Sequence, residues 1–158
     1  AARVCDKAPL NFRNVGLMAL MFPKAKFVHA LRDARDTCLS CYFQSIAGYF
    51  PQGHDLGFLG AFYNDHLRLM AHWKQVLPGR ILDVRYEDVV DDLEGQTKRL
   101  LEFVGLEFDE RCLRFWETGR VATTSSNDQV RKPLYKTSVA RHERYAKFIA
   151  PLEAALAR

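Results

Sequence analysis

Residues 26–40 read KFVHALRDARDTCLS. Positions 26–31 form an apolar run of strand length, and Arg32-Asp33 ends it with charge. A helix is predicted from Ala34, with Asp36 in its first turn, where the positive end of the helix dipole favours an acid. Cys38, Leu39, Tyr42, Phe43 and Ile46 supply its apolar positions as far as Gly48. A strand feeding a helix through a charged turn is the unit of an α/β fold.

The flanking sequence repeats this alternation. Upstream, Val4-Cys5 reads as a short strand closed by Asp6-Lys7, and Asn11 as the cap of a helix through Phe22 that Pro23 stops. Downstream, a helix is expected over 58–77, then a turn at Pro78-Gly79 and a strand over 80–85 (RILDVR) ending at Tyr86-Glu87-Asp88. A helix over 92–104 stops at Gly105, and a shorter one covers 109–117. Residues 118–137 are polar and irregular, and Ser138 is expected to cap a last helical stretch with Val139, His142 and Tyr145. Strands separated by whole helices pair in parallel through crossovers. Ligands of open α/β sheets gather beyond the carboxyl ends of the strands, and each expected strand ends in charge.

The composition narrows the classes. A chain of 158 residues with 48% hydrophobic and 27% charged residues is of one-domain length and has enough apolar content for a core. No run of about 18 apolar residues marks a membrane span. Four cysteines (Cys5, Cys38, Cys41, Cys112) are too few for a disulfide framework and fit a reducing, cytoplasmic setting. The net charge of +4 is unevenly spread: +4 over 1–44, −5 over 45–119 and +5 over 120–158. Two basic ends around an acidic middle fit a compact anion site better than a nucleic-acid surface.

Arg32 and Ser40 are the sharpest candidates for that anion. Ser40 lies about 9 Å along the helix from Ala34 at ~1.5 Å per residue, an interval a long guanidinium side chain can largely cover. Arg offers a planar fork of donors and Ser a hydroxyl, a pair suited to one phosphate. The alternative is an Arg32–Asp36 ion pair with Ser40 packed in mid-helix.

The runs CDKAPLNF, MFPKAKFVHALRDARDTCLSCYFQ, LPGRILDVRYEDVV and SSNDQVRKPLYKTSVARHERY occur in that order from Cys5 to Tyr145. In these runs the chain resembles sulfotransferases that use 3′-phosphoadenosine 5′-phosphosulfate (PAPS). It looks most like bacterial sulfotransferase domains joined to tetratricopeptide repeats, and more distantly like protein-tyrosine sulfotransferases. The resemblance implies a P-loop-NTPase-like parallel sheet flanked by helices, and transfer of a sulfuryl group to a hydroxyl or amine on a peptide, sugar or small molecule. The product nucleotide would be 3′,5′-adenosine bisphosphate, with no metal required. It also implies that Arg32 and Ser40 hold the 3′-phosphate and that Tyr86 contacts the adenine. Ser126 and Arg141 would line the nucleotide from a closing segment, and Lys7 would stabilise the leaving group.

Two departures from the family pattern stand out. No Gly-Ser/Thr-rich loop after a strand is present to cradle the 5′-phosphosulfate, so residues 1–158 are expected to be the C-terminal portion of a larger sulfotransferase domain. The position where small-molecule enzymes carry a catalytic His is Pro9, and His29, inside a strand, reads as a core residue. Competing readings are a noncatalytic nucleotide-binding module and a redox or metal role for Cys38-Leu39-Ser40-Cys41.

Overall fold

The computed structural model describes residues 3–44, 53–118, 131–135 and 138–157. Two strands, β1 (Phe27–Leu31) and β2 (Ile81–Arg85), pair in parallel with Phe27 opposite Ile81 and Leu31 opposite Arg85. Helices α1 (Val15–Met21), α2 (Ala34–Phe43), α3 (Leu56–Val76), α4 (Tyr86–Asp91), α5 (Leu93–Val104) and α6 (Ala150–Leu156) flank them. This is the expected α/β arrangement, a small parallel sheet with helices around it, and the crossover between the strands carries α2 and α3.

Local chemistry explains the main boundaries. Asp33 caps α2 by accepting from the Arg35 and Asp36 backbone N–H groups at 2.9 and 3.2 Å. Asp55 and Asp92 do the same for α3 and α5. Gly105 ends α5 at φ 69°, a left-handed conformation suited to glycine. Arg80 ties the entry of β2 to the turn before β1 through the Ala25 and Phe22 carbonyls.

The densest packing lies among the helices. Cys38 and Leu39 of α2, Leu59 of α3, and Ile149 and Leu152 at α6 form one buried cluster. Gly60 lets α6 approach α3 closely: a Cβ there would stand 2.7 Å from Ala155 Cβ and 3.1 Å from the Leu152 carbonyl oxygen. Asn64 reinforces the contact by donating to the Ala155 carbonyl at 2.9 Å. On the other flank, the Trp73 indole donates to the Phe12 carbonyl at 2.8 Å and fixes the N-terminal turn against α3.

Several local expectations change. Val4-Cys5 forms no strand, because among the described residues no strand pairs with it; the segment is held instead by Arg3 donating to the Val104 and Gly105 carbonyls. Asn11 does not cap α1. Its side-chain amide donates to Asp6 at 2.7 Å, and the helix is entered through a 3-10 turn at Asn11–Asn14. Tyr86-Glu87-Asp88 opens α4 rather than closing β2. The 109–117 stretch is 3-10 in character over Glu110–Glu117. Ser138 does not cap the last 3-10 stretch; Ala140, at φ 55°, introduces it at Arg141–Phe148, and α6 lies beyond the helical stretch expected there. Among the described residues no helix is long and apolar enough to cross a membrane.

Candidate functional site

Because Leu31 and Arg85 are opposite in the sheet register, the chain leaves both strands at the same level. Arg32 and Tyr86 follow them and meet, with the guanidinium carbon 5.2 Å from the ring centroid. That distance suits a cation–π contact. A cavity of about 210 Å³ opens beside them, lined also by Phe115, Lys132, Tyr135 and Ser138. Burial pushes the Tyr86 phenol above its usual pKa against the pull of the Arg32 charge, so it is neutral at pH 7. Its hydroxyl donates to the Tyr135 carbonyl at 3.4 Å.

Arg32 is held from three sides. The Tyr63 hydroxyl donates to its carbonyl oxygen at 2.9 Å. Its Nη2 donates to the Ser138 carbonyl and, at 3.4 Å, to Asp36 Oδ2. The Arg32–Asp36 ion pair expected as the alternative to anion binding therefore exists, but it is long. Among the described residues, Arg32 Nε is buried without a hydrogen-bond partner. A buried N–H donor left unpaired costs on the order of 1–3 kcal/mol, so an acceptor is the missing element here.

Ser40 is on the next turn of α2; its hydroxyl accepts from the Gln44 side chain at 3.4 Å, and it does not line the cavity. The Arg141 guanidinium carbon lies 5.2 Å from the centroid of Phe43. Phe43 is three residues beyond Ser40 on the same helix, so Arg141 and Ser40 share a face of α2. Lys7 is exposed in a turn that Asn11 fastens through Asp6 and through its own N–H to the Ala8 carbonyl at 3.2 Å. Ser126 lies outside the described residues. The structure thus joins Arg32 to Tyr86, sets Arg141 beside Phe43 one turn from Ser40, and leaves Lys7 exposed in the N-terminal segment.

Two polar groups at this site carry no sequence signal. Asp36 is 1% exposed and His142 8% exposed. Asp36 Oδ1 accepts from the His142 backbone N–H at 2.7 Å and from Nδ1 at 2.9 Å. A carboxylate only accepts, so Nδ1 carries the proton. Burial works against the Asp36 charge, yet the His142 bonds and the Arg32 charge outweigh it and hold the carboxyl below its usual pKa. Ligand atoms of Asp33, Asp36 and His142 lie within 4.8 Å of one another. A cation would have to displace the Nδ1–H to Oδ1 bond, so the group reads as a hydrogen-bonded clasp. On its other side Glu87 accepts from the Asp33 backbone N–H at 2.8 Å.

The Cys38–Cys41 pair does not fit redox chemistry. Burial pushes the Cys38 thiol up to about 12 and raises Cys41 as well, which leaves little thiolate at neutral pH. His29 is buried, as expected for a core histidine, and bonds Asp83 at 2.8 Å and His66 at 2.8 Å.

Comparison with known proteins matches this architecture to one family. The sulfotransferase family profile matches residues 1–110. An uncharacterized protein of Aquifex aeolicus is 39% identical over 153 residues, covering 95% of this chain and 20% of the relative. Protein-tyrosine sulfotransferase A of Caenorhabditis elegans is 27% identical over 150 residues, covering 85% and 37%. Omega-hydroxy-beta-dihydromenaquinone-9 sulfotransferase Stf3 of Mycobacterium bovis is 31% identical over 108 residues, covering 63% and 28%. The chain spans well under half the length of these relatives. With the family match extending over most of its residues and across both strands, the chain belongs to the sulfotransferase family.

Proposed function

We propose that this chain carries the 3′-phosphoadenosine half of a PAPS-dependent sulfotransferase site. The supporting observation is the buried, unpartnered Arg32 Nε beside the Tyr86 ring, in a cavity of about 210 Å³ at the strand ends. Small-molecule pockets usually occupy about 300–1,000 Å³, so this one suits part of a nucleotide, not all of it. Arg32 supplies a forked cation for the 3′-phosphate, Ser40 a hydroxyl, and Tyr86 a neutral face for the adenine. Arg141, beside Phe43 at 5.2 Å, is assigned to the phosphates from the C-terminal segment, and Ser126 is assigned to the nucleotide with it.

PAPS supplies a sulfuryl group whose sulfur is attacked in line by an acceptor oxygen. The new O–S bond forms as the bridge to the 5′-phosphate breaks. The electron pair stays on the 5′-phosphate oxygen of 3′,5′-adenosine bisphosphate, and the acceptor hydroxyl loses its proton. Lys7 is the residue assigned to the charge that grows on the leaving oxygen, an interaction stronger in the transition state than before it. A hydroxyl is the favoured acceptor, because two relatives are named for a protein tyrosine and for an omega-hydroxy compound.

Calorimetric titration with 3′,5′-adenosine bisphosphate tests the nucleotide assignment. Ser40→Ala is expected to weaken binding about tenfold, the worth of one hydrogen bond to a charged group at its low end. Equal binding by Arg32→Ala, Ser40→Ala and the parent would remove the assignment. Incubation with labelled PAPS and hydroxyl acceptors tests the transfer, and binding without transfer would mean a noncatalytic module.

A further inference from the structure

The bonds around Asp36 are unequal. The two from His142 are 2.7 and 2.9 Å, within the range of charge-assisted hydrogen bonds. The one from Arg32 is 3.4 Å, near the limit of a hydrogen bond at all. The Asp36 side chain is wholly buried, so water does not share the load. His142 therefore occupies one oxygen, Oδ1, of a carboxylate that stands one turn from Arg32 and whose other oxygen, Oδ2, receives only the long Arg32 bond. Without those two donors, a buried carboxylate would be left with one cation within reach, and a short Arg32–Asp36 pair would compensate its burial.

From this we infer that His142 is a positioning residue for anion binding: it holds Asp36 off Arg32 and leaves the guanidinium to an external anion. The inference rests on the assignment of Arg32 to a phosphate. Three further observations fit it. The segment that carries His142 also places the Ser138 carbonyl on Arg32 Nη2, which aims the guanidinium while leaving Nε unpaired. Arg141, next to His142, is set beside Phe43 by the same anchorage. Ile149 and Leu152 are already 1% and 0% exposed against α2 and α3, so the segment has an apolar anchor of its own. A buried ionic clasp is not needed simply to fasten it.

The test compares adenosine 3′-monophosphate with adenosine, titrated into the full chain by calorimetry. The ratio of their affinities isolates the contribution of the 3′-phosphate. His142→Leu is expected to lower that ratio about tenfold, and His142→Asn, whose amide can replace the Nδ1–H, to keep it within about threefold. Adding Asp36→Asn to His142→Leu removes the competing charge and should recover part of the lost ratio. A purely structural role would lower both affinities alike, and the double variant would be no better than His142→Leu. Either result, or an unchanged ratio in His142→Leu, overturns the inference. If His142→Leu does not fold by circular dichroism, Asp36→Asn alone decides. It should keep the parent ratio within about threefold, and a tenfold loss refutes the proposal. If the parent itself does not prefer the 3′-monophosphate, the Arg32 assignment fails first and the role of His142 falls with it.

Discussion

Two histidine–carboxylate pairs each join distant segments of the chain, and they differ in what surrounds them. His29 and Asp83 face each other across the sheet register at 2.8 Å, and His142 and Asp36 join the C-terminal segment to α2 at 2.9 Å. The first pair is closed. Lys74 donates to the second oxygen of Asp83, His66 bonds the far nitrogen of His29, and Phe12 and Tyr63 pack edgewise on His66. The second pair borders a residue with a buried donor left over, Arg32 Nε, and a cavity beside it. A buried histidine and a short His–Asp bond are common to both. An unspent buried donor on a residue that lines a cavity is peculiar to one, and that donor is the stronger pointer to ligand binding.

Substitutions can break this contrast. Arg32→Ala should reduce affinity for 3′,5′-adenosine bisphosphate about a hundredfold, the upper range for a charged hydrogen-bonding group, with little change in melting temperature. Calorimetry and thermal unfolding on the same sample separate the two effects. Asp83→Ala should do the opposite. It strands Lys74 and His29 and should cost about 2 kcal/mol of stability in urea unfolding while nucleotide affinity holds. A large affinity loss in Asp83→Ala would place the closed cluster in the site and erase the distinction.

The closed cluster should also reveal itself through pH. Burial lowers the pKa of His29 despite the Asp83 bond, and burial with the neighbouring His29 and Lys74 charges lowers His66 to about 4. Unfolding frees both rings to titrate near 6.5, so the unfolded chain binds more protons and stability falls as pH drops from about 6.5 to about 4. For His66 the loss should be about 1–2 kcal/mol, less than the bare shift implies because solvent screens a half-buried ring. The carboxylates respond lower down. Asp36 and Asp83 have depressed pKa values, so their contribution is fully present above the ordinary carboxylate pKa and is lost as pH falls from there through the depressed values. Thermal unfolding from pH 7 to 4 should show a smaller slope for His66→Gln than for the parent; equal slopes would mean that His66 is not the titrating group.

The smallest effect sharpens the open site. Tyr86→Phe removes a hydroxyl whose bond to Tyr135 is 3.4 Å long but keeps the ring beside Arg32. Affinity for the bisphosphate should change less than about threefold, whereas Tyr86→Leu should cost about tenfold through loss of the stacking face. Equal losses would mean that the hydroxyl matters more than the ring.

Much of the scaffold was readable from local pattern. The 26–31 run became β1, Asp33-Ala34 began α2, and Gly105 ended α5, because each depends on residues within a turn or two. The misreadings occurred where a distant partner decides. Val4-Cys5 had strand composition and, among the described residues, no strand to pair with. Asn11 had a capping side chain that Asp6 claimed. Helix α6 is short and alanine-rich, with Pro151 near its start, and it is fixed by packing on Gly60 and Leu59 across some ninety positions.

The sequence alone determined that a strand, a charged turn and a helix follow one another at 26–43, and that Arg32, Tyr86 and Lys7 lie within the stretch that matches one enzyme family. Tertiary structure decided what each polar side chain is free to do. It made His29 a closed core residue and His142 the partner of Asp36 across 106 positions. It also left Arg32 Nε without a partner among the described residues. The reason is range: helix caps and strand patterns arise within a few residues, whereas the satisfaction of a buried hydrogen-bonding group depends on ångström-scale placement of atoms that only the folded chain brings together.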